Sequence, residues 1–189
     1  RWVEEVFRVT QGQVVAIDGK TVRRSHDKTS GIEAIHMVNA WASESGIVLG
    51  QCQRDAKSNE ITAIPELLRL LDVSGCLVTI DAMGAQTTIA QTIRDEKADY
   101  LLRVKDNQGN LHQDLQDWFA HADTIQFADM NSTYAKTVNK GHGRIEIRRC
   151  QTLSDPQYLH YVRRHGDWKA LTTLIHIQRK RRINDWITT

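Results

Sequence analysis

Short β-branched runs alternate with helical stripes along the front of the chain. "VVAID", residues 14–18, reads as a buried strand. "AIHMVNAWAS" and "GIVLGQCQ" read as two more strands, joined by the polar turn "SESG". In "ITAIPELLRLLDV" the residues Ile61, Ile64, Leu67, Leu68 and Leu71 fall on one helical stripe. Pro65 suits only a first helical turn, so this helix is predicted to begin near Ala63. "CLVTID" is a fourth strand that again ends on aspartate. "TTIAQTIRDEK" is an amphipathic helix through Ile89, Ala90 and Ile93, and "DYLLRVK" is a fifth strand. "NQGNLHQDLQDWFAH" holds a turn and then a helix, with Leu111, Leu115, Trp118 and Phe119 facing inward.

Three strands in succession can form an antiparallel meander. Strands that alternate with helices should run parallel through crossovers. The expected fold class is therefore α/β, a mixed sheet with helices packed on its faces, in the element order of the ribonuclease H-like fold. After His121 the character changes. "YAKTVNKGHGRIEIRRCQTL" reads as two strands around a Gly-rich turn, and "WKALTTLIHIQRKRRI" as one long alternating strand. The expected domains are a core over 1–122 and a β-rich addition over 123–189.

A chain of 189 residues can bury one well-packed core with a small insertion. Its 40% hydrophobic and 25% charged residues are ordinary for a globular protein. The longest apolar runs are too short to cross a bilayer, so no membrane partner is expected. No signal-peptide pattern opens the chain. It starts without Met on the amphipathic "RWVEEVF" and is read as a piece of a longer protein. Cys52, Cys76 and Cys150 lie far apart and lack zinc-type spacing, which fits free thiols in a reducing cytoplasm. His160 and His165 have no cysteine partners for a zinc site. Net charge is only +2, but cations cluster at Arg23–Arg24, Arg144–Arg149, Arg163–Arg164 and Arg179–Arg182. One such cluster is usually a solvated face. Four in a small domain point to a polyanion, since affinity for phosphate backbones comes mainly from cations.

Asp18 and Asp81 each close an apolar strand. In the expected sheet the first and fourth strands are parallel neighbours, which would set the two carboxylates side by side at one sheet edge. Adjacent carboxylates raise each other's cost of ionisation. Mg2+ or Mn2+ removes that cost and prefers such oxygen ligands. Two metals about 3.5–4 Å apart can clamp the attacking and leaving oxygens of a phosphodiester. The bland alternative is that each aspartate caps the turn after its strand. A third acid usually completes such a cage. Glu146, in "GHGRIEIRR", is the first candidate, set against a plain salt bridge to Arg144 or Arg148; Asp114 and Asp117 come behind it.

Five ordered motifs, "AIDGKTVRRS", "AIHMVNAWAS", "KSNEITAIPELL", "TIDAMGAQ" and "VKDNQGNLHQDL", resemble the H-repeat-associated transposases, bacterial insertion-sequence proteins with a DDE catalytic domain. The resemblance runs from about Val14 to Arg149. It implies a ribonuclease H-like core, divalent metal, and cutting and joining of DNA. Asp18 in "IDGK" resembles the first catalytic acid and Asp81 in "TIDAMG" the second. Lys105, Asn107 and Gln108 take the place of a Lys-x-Asn-Gln turn near the site. The family's third acid sits in a Trp-x-Ile-Glu-Asn pattern, which does not occur here. Either that acid lies beyond Thr189, or Glu146 takes its role.

The reading is a DNA transposase catalytic domain that cleaves and joins phosphodiesters at insertion-sequence ends. Its catalytic and metal-binding residues would be Asp18, Asp81 and Glu146. DNA contacts would come from Lys20, Arg23, Arg24, Lys57, Lys105, Asn107, Arg144 and Arg148. The family implies DNA ends and target DNA as partners, and a homodimer. One rival is a remnant that binds DNA without cutting. Another is a haloacid-dehalogenase-type phosphatase, which would need an acid where Lys20 stands.

Overall fold

A computed structural model describes residues 12–21, 36–54, 60–141, 143–183 and 186–188. The chain forms two compact units, 1–109 and 110–189.

In the first unit, β1 (Val14–Thr21), β2 (His36–Ala42), β3 (Ile47–Arg54), β4 (Leu77–Ile80) and β5 (Asp99–Leu102) form one sheet in the order β3-β2-β1-β4-β5. β1, β2 and β3 pair antiparallel, while β4 runs parallel to both β1 and β5. This is the mixed ribonuclease H-like sheet expected from the element order. Helices α1 (Glu60–Leu70) and α2 (Thr87–Asp95) carry the crossovers. Alternation along the strands puts Val15, Ile17, Val38, Ala40, Val78 and Ile80 on one sheet face. They pack there with Ile64, Leu67, Leu68, Ile89 and Ile93 of the helices in one apolar core.

Two boundaries differ from expectation. β1 does not stop at Asp18. It continues to Thr21, because β2 pairs with it through Gly19, Lys20 and Thr21 after the β4 pairing has ended at Ile17. α1 starts at Glu60, which leaves Pro65 inside the helix. Proline there costs one backbone hydrogen bond. Burial of Ala63, Ile64, Leu67 and Leu68 along the same stripe offsets it.

The second unit opens with α3 (Gly109–Thr124). Its sheet has four antiparallel strands in order, β6 (Ser132–Gly141), β7 (Arg144–Leu153), β8 (Leu174–Ile183) and β9 (Trp186–Thr188). The turn between β6 and β7 is the Gly-rich one expected. An unexpected helix, α4 (Pro156–Arg163), interrupts the β-rich tail. Asp155 caps it by accepting a 2.9 Å hydrogen bond from the Gln157 amide, and Pro156 sits in its first turn. Leu159 and Val162 are its buried residues, and Trp118 of α3 lies edge-on to Tyr158, ring centroids 6.3 Å apart.

Candidate functional site

The parallel pairing of β1 and β4 sets the site. The last paired residues are Ile17 and Ile80, both on the core face. One step further along each strand come Asp18 and Asp81. Strand alternation turns both away from the core, onto the opposite face. Both are open to solvent, with side chains 57% and 64% exposed. Asp81 stands at the start of a 3₁₀ turn, Ala82–Gly84.

Each carboxylate has a lysine. Lys20, two residues along β1 and so on the same face, places its ammonium 3.1 Å from Asp18. Lys105, just beyond β5, places its ammonium 3.1 Å from one oxygen of Asp81 and 3.2 Å from the other. Arg103 adds a longer contact of 3.9 Å. The backbone N–H of Ala82 and then the Lys105 ammonium hold the Asp81 carboxyl below its ordinary range.

The segment after β5 also fixes the turn that carries Asp81. Asn107 donates a 3.0 Å hydrogen bond to the Ala82 carbonyl, and Gln108 donates one to the Ala85 carbonyl. Lys105, Asn107 and Gln108 thus grip one loop at three points. This is a positioning role for Asn107, where the sequence suggested DNA contact. Arg103 was missed, because nothing in "LLRVKD" separates a site arginine from a solvated one. Gly84 completes the loop's packing: a β-carbon there would come within 2.3 Å of Ile80 Cγ2 and 3.3 Å of Ile64 Cδ1. No larger residue fits without movement.

Glu146 lies in the second unit, on β7, and is 6% exposed. Arg148 donates to its carboxylate at 2.8 Å, Arg179 bonds it as well, and Arg181 stands 4.0 Å away. Desolvation alone would raise its pKa. The guanidiniums outweigh that and hold the carboxyl below its ordinary range. Its surroundings are those of a structural ion pair with Arg148, widened to three arginines. Asp114 is engaged by His165 at 2.7 Å, and Asp117 accepts from Gln113 on α3. Arg144 is exposed on β7. Arg23, Arg24 and Lys57 fall outside the described residues. Among the described residues, no three His, Cys, Asp or Glu side chains gather into a group that could hold a metal ion. The pair Asp18 and Asp81 still matches a hard cation in donor chemistry: two accessible carboxylates from adjacent strands, each now balanced by a displaceable ammonium.

A family model described as a transposase DDE domain matches residues 10–175. "Putative transposase YncI" of Escherichia coli O157:H7 is 51% identical over 175 residues, 92% of this chain and 43% of that protein. "H repeat-associated putative transposase YhhI" of Escherichia coli K12 is 39% identical over 173 residues, 92% of this chain and 44% of that protein. The chain spans about half the length of the curated relatives it matches. A solved piggyBac transposase synaptic complex with hairpin DNA aligns over 89% of this chain and 33% of that chain, at 11% identity and a TM-score of 0.41, a likeness too slight to bear on function. With a family match over most of its length and relatives at up to 51% identity, the chain belongs to the transposase DDE domain family.

Proposed function

We propose that this chain is the catalytic part of a DNA transposase, cleaving phosphodiesters and transferring strands at insertion-sequence ends with the help of a divalent cation. The observation that carries the reading is the register of Asp18 and Asp81. They follow the paired Ile17 and Ile80 on parallel neighbours, share one sheet face, and are both exposed. Asp18 and Asp81 would hold Mg2+ or Mn2+. When bound, the metal supplies Lewis-acid stabilisation of charge on the attacking and leaving oxygens of the phosphodiester.

The chain's own side chains do the rest. Lys20 and Lys105 neutralise the two carboxylates in the metal-free state. Once displaced, their ammonium groups, together with Arg103, face the phosphates of a bound strand as backbone contacts. Asn107 and Gln108 keep the Asp81 loop in place through the Ala82 and Ala85 carbonyls. Glu146 is given a structural role, since its lone pairs are committed to arginines, and the third acid is assigned to a residue outside the described ones. DNA is the partner, a homodimer the working form, and the cytoplasm the setting. No helix among the described residues is long and apolar enough to cross a membrane.

The test is nicking of supercoiled plasmid carrying insertion-sequence ends, with Mg2+ or Mn2+, by a parent protein that carries this chain together with the third acid, and by its Asp18→Asn and Asp81→Asn variants. The expected result is metal-dependent nicking by the parent alone, with DNA binding kept by all three. Equal nicking by either variant would end the assignment. Binding by the parent without nicking in either metal would leave a DNA-binding remnant.

A further inference from the structure

Strands β6, β7 and β8 of the second unit carry nine basic residues and one acid. Residues directly opposite in register share a face, and alternate residues along each strand lie on opposite faces. Lys136 is paired with Arg149 and Lys140 with Ile145 across β6 and β7; Ile145 in turn pairs with Arg182, and Ile147 with Lys180, across β7 and β8. Lys136, Lys140, Arg149, Lys180 and Arg182 are therefore on one face. No acidic residue of β6, β7 or β8 shares it. Glu146, the one acid of these three strands, lies on the opposite face with Arg144, Arg148, Arg179 and Arg181, so this face carries five cations and no acid.

One end of this face is core. Leu153 and Leu174 are buried there, and His176 lies against the Phe119 ring of α3, centroids 5.1 Å apart. The other end is open. Lys136, Lys140, Lys180 and Arg182 are exposed, around a floor that includes Val138, itself 57% exposed. The opposite face is different: Glu146 draws in Arg148, Arg179 and Arg181. Protection of an outer strand against pairing would account for lysines on β6. It does not account for Arg149 and Arg182, which have paired strands on both sides.

Resting on the DNA reading above, we infer that the open end of this face is a second DNA-backbone surface. It would seat duplex phosphates on Lys136, Lys140, Arg149, Lys180 and Arg182. The patch spans three strands, about 10 Å across, and four residues along β6, about 13 Å, a size that meets phosphates of one duplex segment. Cations facing a phosphate backbone make this a positioning surface without sequence preference. It moves the second unit's DNA contacts from Arg144 and Arg148 to the other side of the sheet.

The experiment is a salt titration of binding between the full chain and a duplex of random sequence, in EDTA so that no cleavage intervenes. Each phosphate contact adds about 0.9 to the steepness of log K against log salt. The variant combining Lys136→Gln, Lys180→Gln and Arg182→Gln should flatten the slope by about 2.7. Lys136→Gln alone, on the outer strand where folding is least at risk, should flatten it by about 0.9. Arg144→Gln, on the opposite face, should leave it unchanged. Unchanged slopes in the first two variants, with binding intact and weakened instead by Lys20→Gln or Lys105→Gln, would overturn the surface and leave the DNA reading standing. Absence of any binding by the parent at low salt would overturn both.

Discussion

Gly84→Ala isolates the packing that holds the Asp81 loop. A β-carbon at this position would meet Ile80 Cγ2 at 2.3 Å and Ile64 Cδ1 at 3.3 Å. Ordinary carbon contacts lie at about 3.5–4.0 Å, so the first neighbour must give by more than about 1 Å. Ile80 cannot give cheaply. It is β-branched, 7% exposed, and held in β4 between β1 and β5. Overpacking of this kind costs about 1–3 kcal/mol. The strain falls on the residue directly before Asp81, so metal and DNA chemistry should suffer with stability. The assay is a double-mutant cycle in urea with Ile80→Ala. That substitution removes Cγ2 and should itself cost about 2–5 kcal/mol. Because it also frees the space that the added methyl at position 84 needs, the two effects should fall short of additivity by about 1 kcal/mol or more. A Gly84→Ala loss under about 0.5 kcal/mol, or strict additivity in the cycle, would refute the close-packed loop.

Three further outcomes follow from the same geometry. Asp81 and Glu146 both have folded-state pKa values held below the ordinary carboxyl range, so each contributes stability that is present above that range and lost as pH falls through the depressed value. Melting temperature should therefore drop on acidification below about pH 4, and Glu146→Gln should flatten that drop while leaving the metal dependence of nicking unchanged. Lys105→Gln removes the ammonium that now competes for Asp81, so Mn2+ should bind tighter by titration calorimetry while plasmid nicking slows; weaker Mn2+ binding would contradict the placeholder role. Asn107→Ala, which releases the Ala82 carbonyl, should slow nicking with little change in the salt slope of DNA binding, whereas loss of a phosphate-contacting side chain would lower that slope.

Sheet order was legible because strand and helix patterns alternate cleanly from "CLVTID" to "DYLLRVK", and a parallel crossover has few arrangements to choose from. The neighbouring positions of Asp18 and Asp81 followed from that order. The extension of β1 through Gly19–Thr21 was not legible, since "GKT" reads as a turn until β2 is known to pair with it. α4 was missed although its signals are local: Asp155 and Pro156 at the start, then Leu159 and Val162 on one face. The surrounding β-branched runs drew the whole tail into one strand pattern. The companions of Glu146 were partly legible. Arg148, two residues along the same strand, could be named, but Arg179 and Arg181 reach it only through the β7–β8 register. The grip of Asn107 and Gln108 on the Asp81 loop was visible only as a motif, because its partners are backbone carbonyls more than twenty residues away, which side-chain patterns do not report.

The most direct test of a metal site shared by the two aspartates is an anomalous difference map from crystals soaked in Mn2+. The expected result is a peak bonded to both Asp18 and Asp81, with the Lys20 and Lys105 ammonium groups moved off the carboxylates and no manganese at Glu146. Carboxylates still bonded to their lysines, without a peak between them at saturating Mn2+, would contradict the site and leave the two aspartates as structural members of the sheet edge.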